Sequence, residues 1–213
     1  MNDVSDRRLE EKARRRAEIL DAAEAVAAEV GVEAMTMDLV ARSARLSRAL
    51  VYVYFNDKPD LLMGICERAL DLLQRRFEEA TARPGNGLQQ VTACGRAYVA
   101  FAKEFPVYFD ALAHHEAQTP DATQSAGNEQ ACKRAGSRVH GVMVRAIERG
   151  IADGSVRVDA APLLTAVTLW GFMHGALQLA STKANVLAQD GVSASQLLDH
   201  ALLLATRSVA RQP

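Results

Sequence analysis

Two hydroxyl residues eleven positions apart, Thr36 and Ser47, each stand ahead of a short apolar run at helical spacing. A hydroxyl in that place accepts a hydrogen bond from the backbone N–H groups that every helix start leaves without partners. Asp38, in the first turn after Thr36, suits the helix dipole. Leu39, Val40 and Ala44 give this second helix a buried side, and the break Ala44-Arg45-Leu46 separates it from a third that runs to near Phe55. Upstream, Leu20, Ala23, Val26, Ala27 and Val30 recur at three- and four-residue steps. That spacing predicts a helix over about residues 6–30, stopped by Gly31.

Three helices with so short a break between the last two match a helix-turn-helix, whose final helix enters the major groove of DNA. Stepping about 100° per residue from Arg48 places Leu50, Val51, Tyr54 and Phe55 on one arc of the third helix. Arg48, Ala49, Tyr52 and Val53 fall on the other. That outer arc carries no acid. Arg reads guanine with two hydrogen bonds, and Ala or Val can touch a thymine methyl. Between Arg42 and Lys58 four cations face one acid, whereas residues 1–63 together hold ten cations and twelve acids. Positive charge is therefore focused on this arc, although the whole chain has a net charge of only −1. Periodicity alone fits a packed three-helix subdomain with solvent arginines equally well.

The remaining chain reads as helices throughout. Asp57 is a cap for a fourth, reaching about Arg83 and stopped by Pro84-Gly85-Asn86-Gly87. Further helices are predicted over about 88–105, 107–118, 129–152, 161–187 and 193–211, with a polar loop at 119–128. The chain is thus all-α, with about nine helices. Apolar residues make up 49% and charged residues 24%, which excludes a mostly disordered chain. Cys66, Cys94 and Cys132 form no CxxC spacing, so neither a disulfide framework nor a cysteine-rich zinc site is expected. The uncharged stretch 160–182 has the length of a membrane span, but Thr165, Thr168, His174 and Gln178 interrupt it, and a helix buried in a protein interface fits better. The charged N-terminus has no signal-peptide core, and the chain is read as cytoplasmic. No GxSxG, Walker loop, GxGxxG or HExxH is present, and the chain is read as no enzyme.

The run from Gly31 to Leu61 follows the pattern G…T…(I/V)A…A-x-(V/L)-S…Y-x-YF-x-x-K-x-x-L, and so resembles the DNA-binding signature of the tetracycline-repressor (TetR/AcrR) family. Looser resemblances follow at Ala97–Phe101 with Phe105-Pro106, at Gly150–Val156, and at Trp170–Gly175. The resemblance implies a homodimeric transcriptional regulator, usually a repressor, acting on double-stranded operator DNA without a cofactor. Residues 1–58 would be the helix-turn-helix domain and 59–213 a larger helical domain for effector binding and dimerisation, pairing through its last two long helices. By the motif match, Thr36, Ser47, Tyr52, Tyr54 and Lys58 would contact the DNA backbone, and Arg48, Ala49 and Val53 would read bases. Arg45 stands where the family usually has Gly; it implies either a distorted turn or a phosphate contact that offsets the strain.

For the small-molecule effector, Tyr98, Phe101, Tyr108, Trp170 and His174 are the expected lining, four of them bringing a polar group to an apolar pocket. Aromatic residues at helical spacing are as readily plain core. Two rival readings remain open at this point: a redox-responsive regulator sensing through one of the cysteines, and a helical interaction protein without DNA.

Overall fold

The computed structural model describes residues 3–116, 126–157, 159 and 161–211. Among them are ten helices and no strand; one isolated antiparallel bridge joins Val156 to Ala210. In chain order the helices are α1 (Asp3–Ala34), α2 (Met37–Ser43), α3 (Arg48–Tyr54), α4 (Lys58–Thr81), α5 (Gly87–Glu104), α6 (Pro106–Glu116), α7 (Ala126–Asp153), α8 (Pro162–Thr182), α9 (Ala184–Gln189) and α10 (Ala194–Val209).

The tenth helix comes from a break inside the expected 161–187 segment. Ser181 and Thr182 turn their hydroxyls back onto the Gln178 carbonyl (3.0 and 2.7 Å), and Lys183 leaves helical geometry at φ −121°, ψ 19°. Back-bonding of this kind competes with the helix ladder. The predicted loop at 119–128 is helical from Ala126 onward, and its earlier part lies outside the described residues. Gly31 adopts φ 83° and interrupts α1 where the sequence predicts a stop.

The chain forms two compact units. The first comprises residues 1–69 and 107–132. Its core holds Ile19, Leu20, Val40, Val51, Phe55, Leu61 and Ile65, all fully buried. Gly64 lets α4 lie close to α1 and to Phe55: a Cβ there would stand 2.9 Å from Leu20 Cδ2 and 3.1 Å from Phe55 Cε1. Polar links surround this core. Arg68 bonds Asp21, Glu24 and the Ala17 carbonyl, and Arg16 pairs with Glu67 at 3.0 Å while its guanidinium covers the Phe55 ring.

The second unit comprises residues 70–106 and 133–213. Here α10 lies against both α8 and α5. The α5 start is closed by several acceptors: Gly87 N–H donates to Asp153 Oδ2 (2.7 Å), Leu88 N–H to Ser155 Oγ (3.1 Å), and Asn86 forms a capping box with Gln89. The Gly87 and Gly150 backbones meet so closely that a Cβ on Gly87 would overlap Gly150. Among the described residues α8 alone is long and apolar enough to cross a membrane by length and composition, and a third of its most apolar stretch is buried (33%).

Candidate DNA interface and effector pocket

The turn between α2 and α3 closes as a helix C-cap of the Schellman type. Leu46 N–H donates to the Ala41 carbonyl (2.9 Å) and Arg45 N–H to the Arg42 carbonyl (3.1 Å). This pattern needs a left-handed residue at Arg45, and Arg45 takes φ 55°. Of the two alternatives that the sequence left for this position, the turn keeps its regular shape and Arg45 carries the strain. Thr36 Oγ1 accepts from Leu39 N–H (3.3 Å) and Ser47 Oγ from Leu50 N–H (3.2 Å), so both hydroxyls cap their helices. Each hydroxyl keeps its O–H as a donor.

These caps orient α3. Val51 and Phe55 are fully buried, while Leu50 and Tyr54 are half-buried. Arg48, Ala49, Tyr52 and Val53 are exposed, Val53 at 71%. Arg48 is held in place by Asp38 (Nε–Oδ1 3.0 Å) and by the Tyr52 ring and hydroxyl (3.4 Å). The Tyr52 hydroxyl, with Asp38 beside it, pushes the Arg48 pKa further up, so Arg48 stays a cation throughout the working range. Lys58 donates from Nζ to the Glu33 carbonyl (2.5 Å), tying the start of α4 to the end of α1. Sequence reasoning missed this tie, because the acceptor is a backbone atom 25 residues away. The N-terminal arginines are engaged along α1: Arg14 and Arg15 pair with Glu11 and Glu18.

In the second unit Tyr98, Trp170 and His174 come together. The Tyr98 and Trp170 rings stack at 4.6 Å with 16° between planes, and Tyr98 Oη shares a 2.7 Å hydrogen bond with His174 Nδ1. Tyr98 and Trp170 line a cavity of about 30 Å³, together with Phe77, His140, Met143 and Met173. Phe101 is buried behind Tyr98, with ring centroids 6.4 Å apart, and does not line this cavity. Tyr108 does not join the group. It belongs to the first unit, half-buried against Glu24, and burial with that carboxylate pushes its phenol up to about 12. The helix ends at Phe105-Pro106, and Tyr108 lies on α6 in the first unit, which the helical spacing around Tyr108 did not disclose. His140, not singled out from the sequence, meets Trp170 edge-on at 5.6 Å.

The three cysteines separate by surroundings. Burial pushes Cys94 up to about 12, leaving an inert thiol. Cys66 is buried and donates to the Ala111 carbonyl (3.4 Å). Cys132 is hydrogen-bonded to Cys66 and to His115, and these contacts hold its pKa below that of an ordinary thiol.

The chain matches known families along most of its length. The family model described as bacterial regulatory proteins, tetR family, covers residues 19–64. The one described as tetracyclin repressor-like, C-terminal domain, covers 91–203. No curated protein matches the sequence. Solved structures share the fold at low identity. A protein of unknown function from Rhodococcus sp. RHA1 is 21% identical with a TM-score of 0.70, the match covering 92% of this chain and 95% of that one. A TetR/AcrR-family regulator from Thermobifida fusca YX-ER1 is 21% identical with a TM-score of 0.68, covering 93% and 100%. The regulator FadR from Bacillus subtilis, in complex with stearoyl-CoA, is 16% identical with a TM-score of 0.69, covering 91% and 98%. With one model over the capped turn and a second over more than half of the sequence, this chain belongs to the TetR family of bacterial transcriptional regulators.

Proposed function

We propose that the protein is a homodimeric repressor that grips operator DNA with α3 and lets go when a small molecule enters the second unit. The single observation that carries the DNA half is the exposed α3 face, Arg48, Ala49, Tyr52 and Val53, held outward by two capped helix starts. Arg48, Ala49 and Val53 read base edges. Thr36, Ser47, Tyr52 and Tyr54 reach phosphates, as do Arg45 and a Lys58 N–H not used on Glu33. Residues 1–58 act as the reading head and 59–213 as the sensing and pairing part, in the cytoplasm.

Pairing uses the outer face of α8. Leu164, Val167, Phe172 and Leu179 are exposed on it, and a Cβ at Gly171 or Gly175 would meet nothing within 4 Å. Such a bare apolar stripe on a helix is covered by a partner in soluble assemblies. From α10, Leu203 and Leu204 extend it, whereas Leu198 and Val209 are buried within the unit and Leu202 lines the cavity. Gly175→Glu would put an unpaired charge there and should yield monomers by sedimentation.

The decisive test of the reading is Arg48→Ala on a duplex selected from a random pool. A loss of about 1–3 kcal/mol per half-site with relaxed choice at one base pair supports it. Unchanged affinity and selectivity would remove α3 as the reading element.

The Cys66–Cys132 contact favours a second, redox-linked control. One peroxide molecule would take two electrons and two protons from the two thiols, leaving a disulfide and two waters. Loss of two thiols per chain with weakened DNA binding after one equivalent of peroxide supports it; retention of all three thiols removes it.

A further inference from the structure

The second unit carries an open groove of about 730 Å³, formed by the end of α4, α5 and α10. It shares two residues with the aromatic cavity, Thr92 and Thr206. Their hydroxyls lie 3.2 Å apart, where the linings of the two spaces meet. On the aromatic side no lining residue carries a permanent charge. On the groove side stand Arg76, Arg83 and Arg96 with the single acid Glu79. Ala93, Ala97 and Ala100 keep the α5 wall low.

The three arginines are not equivalent. Arg76 pairs with Glu104 at 2.6 Å and lies over the Phe105 ring. Arg83 and Arg96 are exposed at the groove wall. Guanidinium groups bind phosphate through paired N–H donors. The cavity beyond the threonines is about 30 Å³, close to the volume of one water. An apolar chain can enter only by displacing side chains, and Met143 and Met173, both lining it, are flexible enough to yield. Gly95 and Leu202 line the cavity and meet closely there: a Cβ on Gly95 would stand 2.8 Å from Leu202 Cδ2.

From this adjacency we infer that the effector is an amphiphile with an anionic, phosphate-class head on Arg83 and Arg96 and an apolar tail passing Thr92 and Thr206 into the Tyr98–Trp170 cavity. The inference rests on the ligand-released repressor reading and specifies the ligand class of that same unit. Tail entry parts α5 from α10 and disturbs the aromatic stack, which couples occupancy to a rearranged unit.

The test uses full-length protein, with dodecyl phosphate, dodecanol and inorganic phosphate each below micelle-forming concentration. Binding is read by calorimetry and by emission from Trp170, the only tryptophan. Dodecyl phosphate should bind and change Trp170 emission, dodecanol at least tenfold more weakly, and inorganic phosphate should leave the emission unchanged. The double variant Arg83→Ala/Arg96→Ala should lose tenfold or more for dodecyl phosphate and nothing for dodecanol. Gly95→Leu should abolish the emission change. Equal binding of the alcohol and the phosphate ester overturns the proposal, as does an unaffected arginine variant, or binding seen only with loss of helix content. These outcomes are independent of DNA. If they fail while another ligand releases the duplex, the repressor reading stands; if the wild-type protein binds no duplex, that reading falls by itself.

Discussion

Arg45 tests how strain and contact are balanced in the DNA-reading turn. Its φ of 55° is enforced by the two hydrogen bonds that end α2, Leu46 to Ala41 and Arg45 to Arg42. A residue with a Cβ in that region costs about 1–2 kcal/mol. Glycine removes this cost but loses about 0.5–1 kcal/mol through its greater freedom when unfolded. Arg45→Gly should therefore gain up to about 1.5 kcal/mol, and a chain of this size melts about 2–4 °C higher per kcal/mol. Arg45→Ala keeps the strain and should melt with the wild type. On DNA the two variants should behave alike, since both lack the guanidinium. Each phosphate contact contributes about 0.9 to the slope of log affinity against log salt, so a dimer losing two contacts should show a slope about 1.8 shallower. Between 50 and 200 mM salt that amounts to about a tenfold difference in how far affinity falls. Circular dichroism melting and fluorescence anisotropy across a salt series give both quantities. Arg45→Gly melting below Arg45→Ala would refute the strain argument. Unchanged salt slopes in both variants would refute the phosphate contact.

Gly64→Val should destabilise the first unit by about 1–3 kcal/mol in denaturant titration, because Leu20 and Phe55 are fully buried and have little room to move from the added carbons. Tyr98→Phe leaves the stack with Trp170 but removes the bond to His174, and should cost about 1–3 kcal/mol by thermal melting with a red or blue shift in Trp170 emission. Asp153, bonded by Ser155 and by Gly87 N–H, has its carboxyl held below the usual range. Its contribution is therefore present above the unfolded carboxyl pKa, near 4, and is lost as pH falls through the lower folded value. Asp153→Ala should flatten the acid limb of the stability curve and leave the alkaline limb unchanged.

Local chemistry makes much of the architecture legible in the sequence alone. Thr36, Ser47 and Asp57 announce helix starts because a side-chain oxygen beside free N–H groups is a short-range event. The helical period sorts α3 into a buried and an exposed arc for the same reason, since both are set by neighbours within one turn. Whether Arg45 would distort the turn could not be read from its identity. That answer depends on two backbone hydrogen bonds that hold Arg45 in the left-handed region. The break at Lys183 also escaped, because Ser and Thr hydroxyls occur inside helices as well as at their ends, and here they turn back onto the Gln178 carbonyl. Long-range outcomes were decided by the tertiary structure alone. Tyr98, Trp170 and His174 meet across more than 70 residues, whereas Tyr108, ten residues from Tyr98 in sequence, turns instead to Glu24. Periodicity tells a side chain which way to face along its own helix; only the fold determines which other helix it faces.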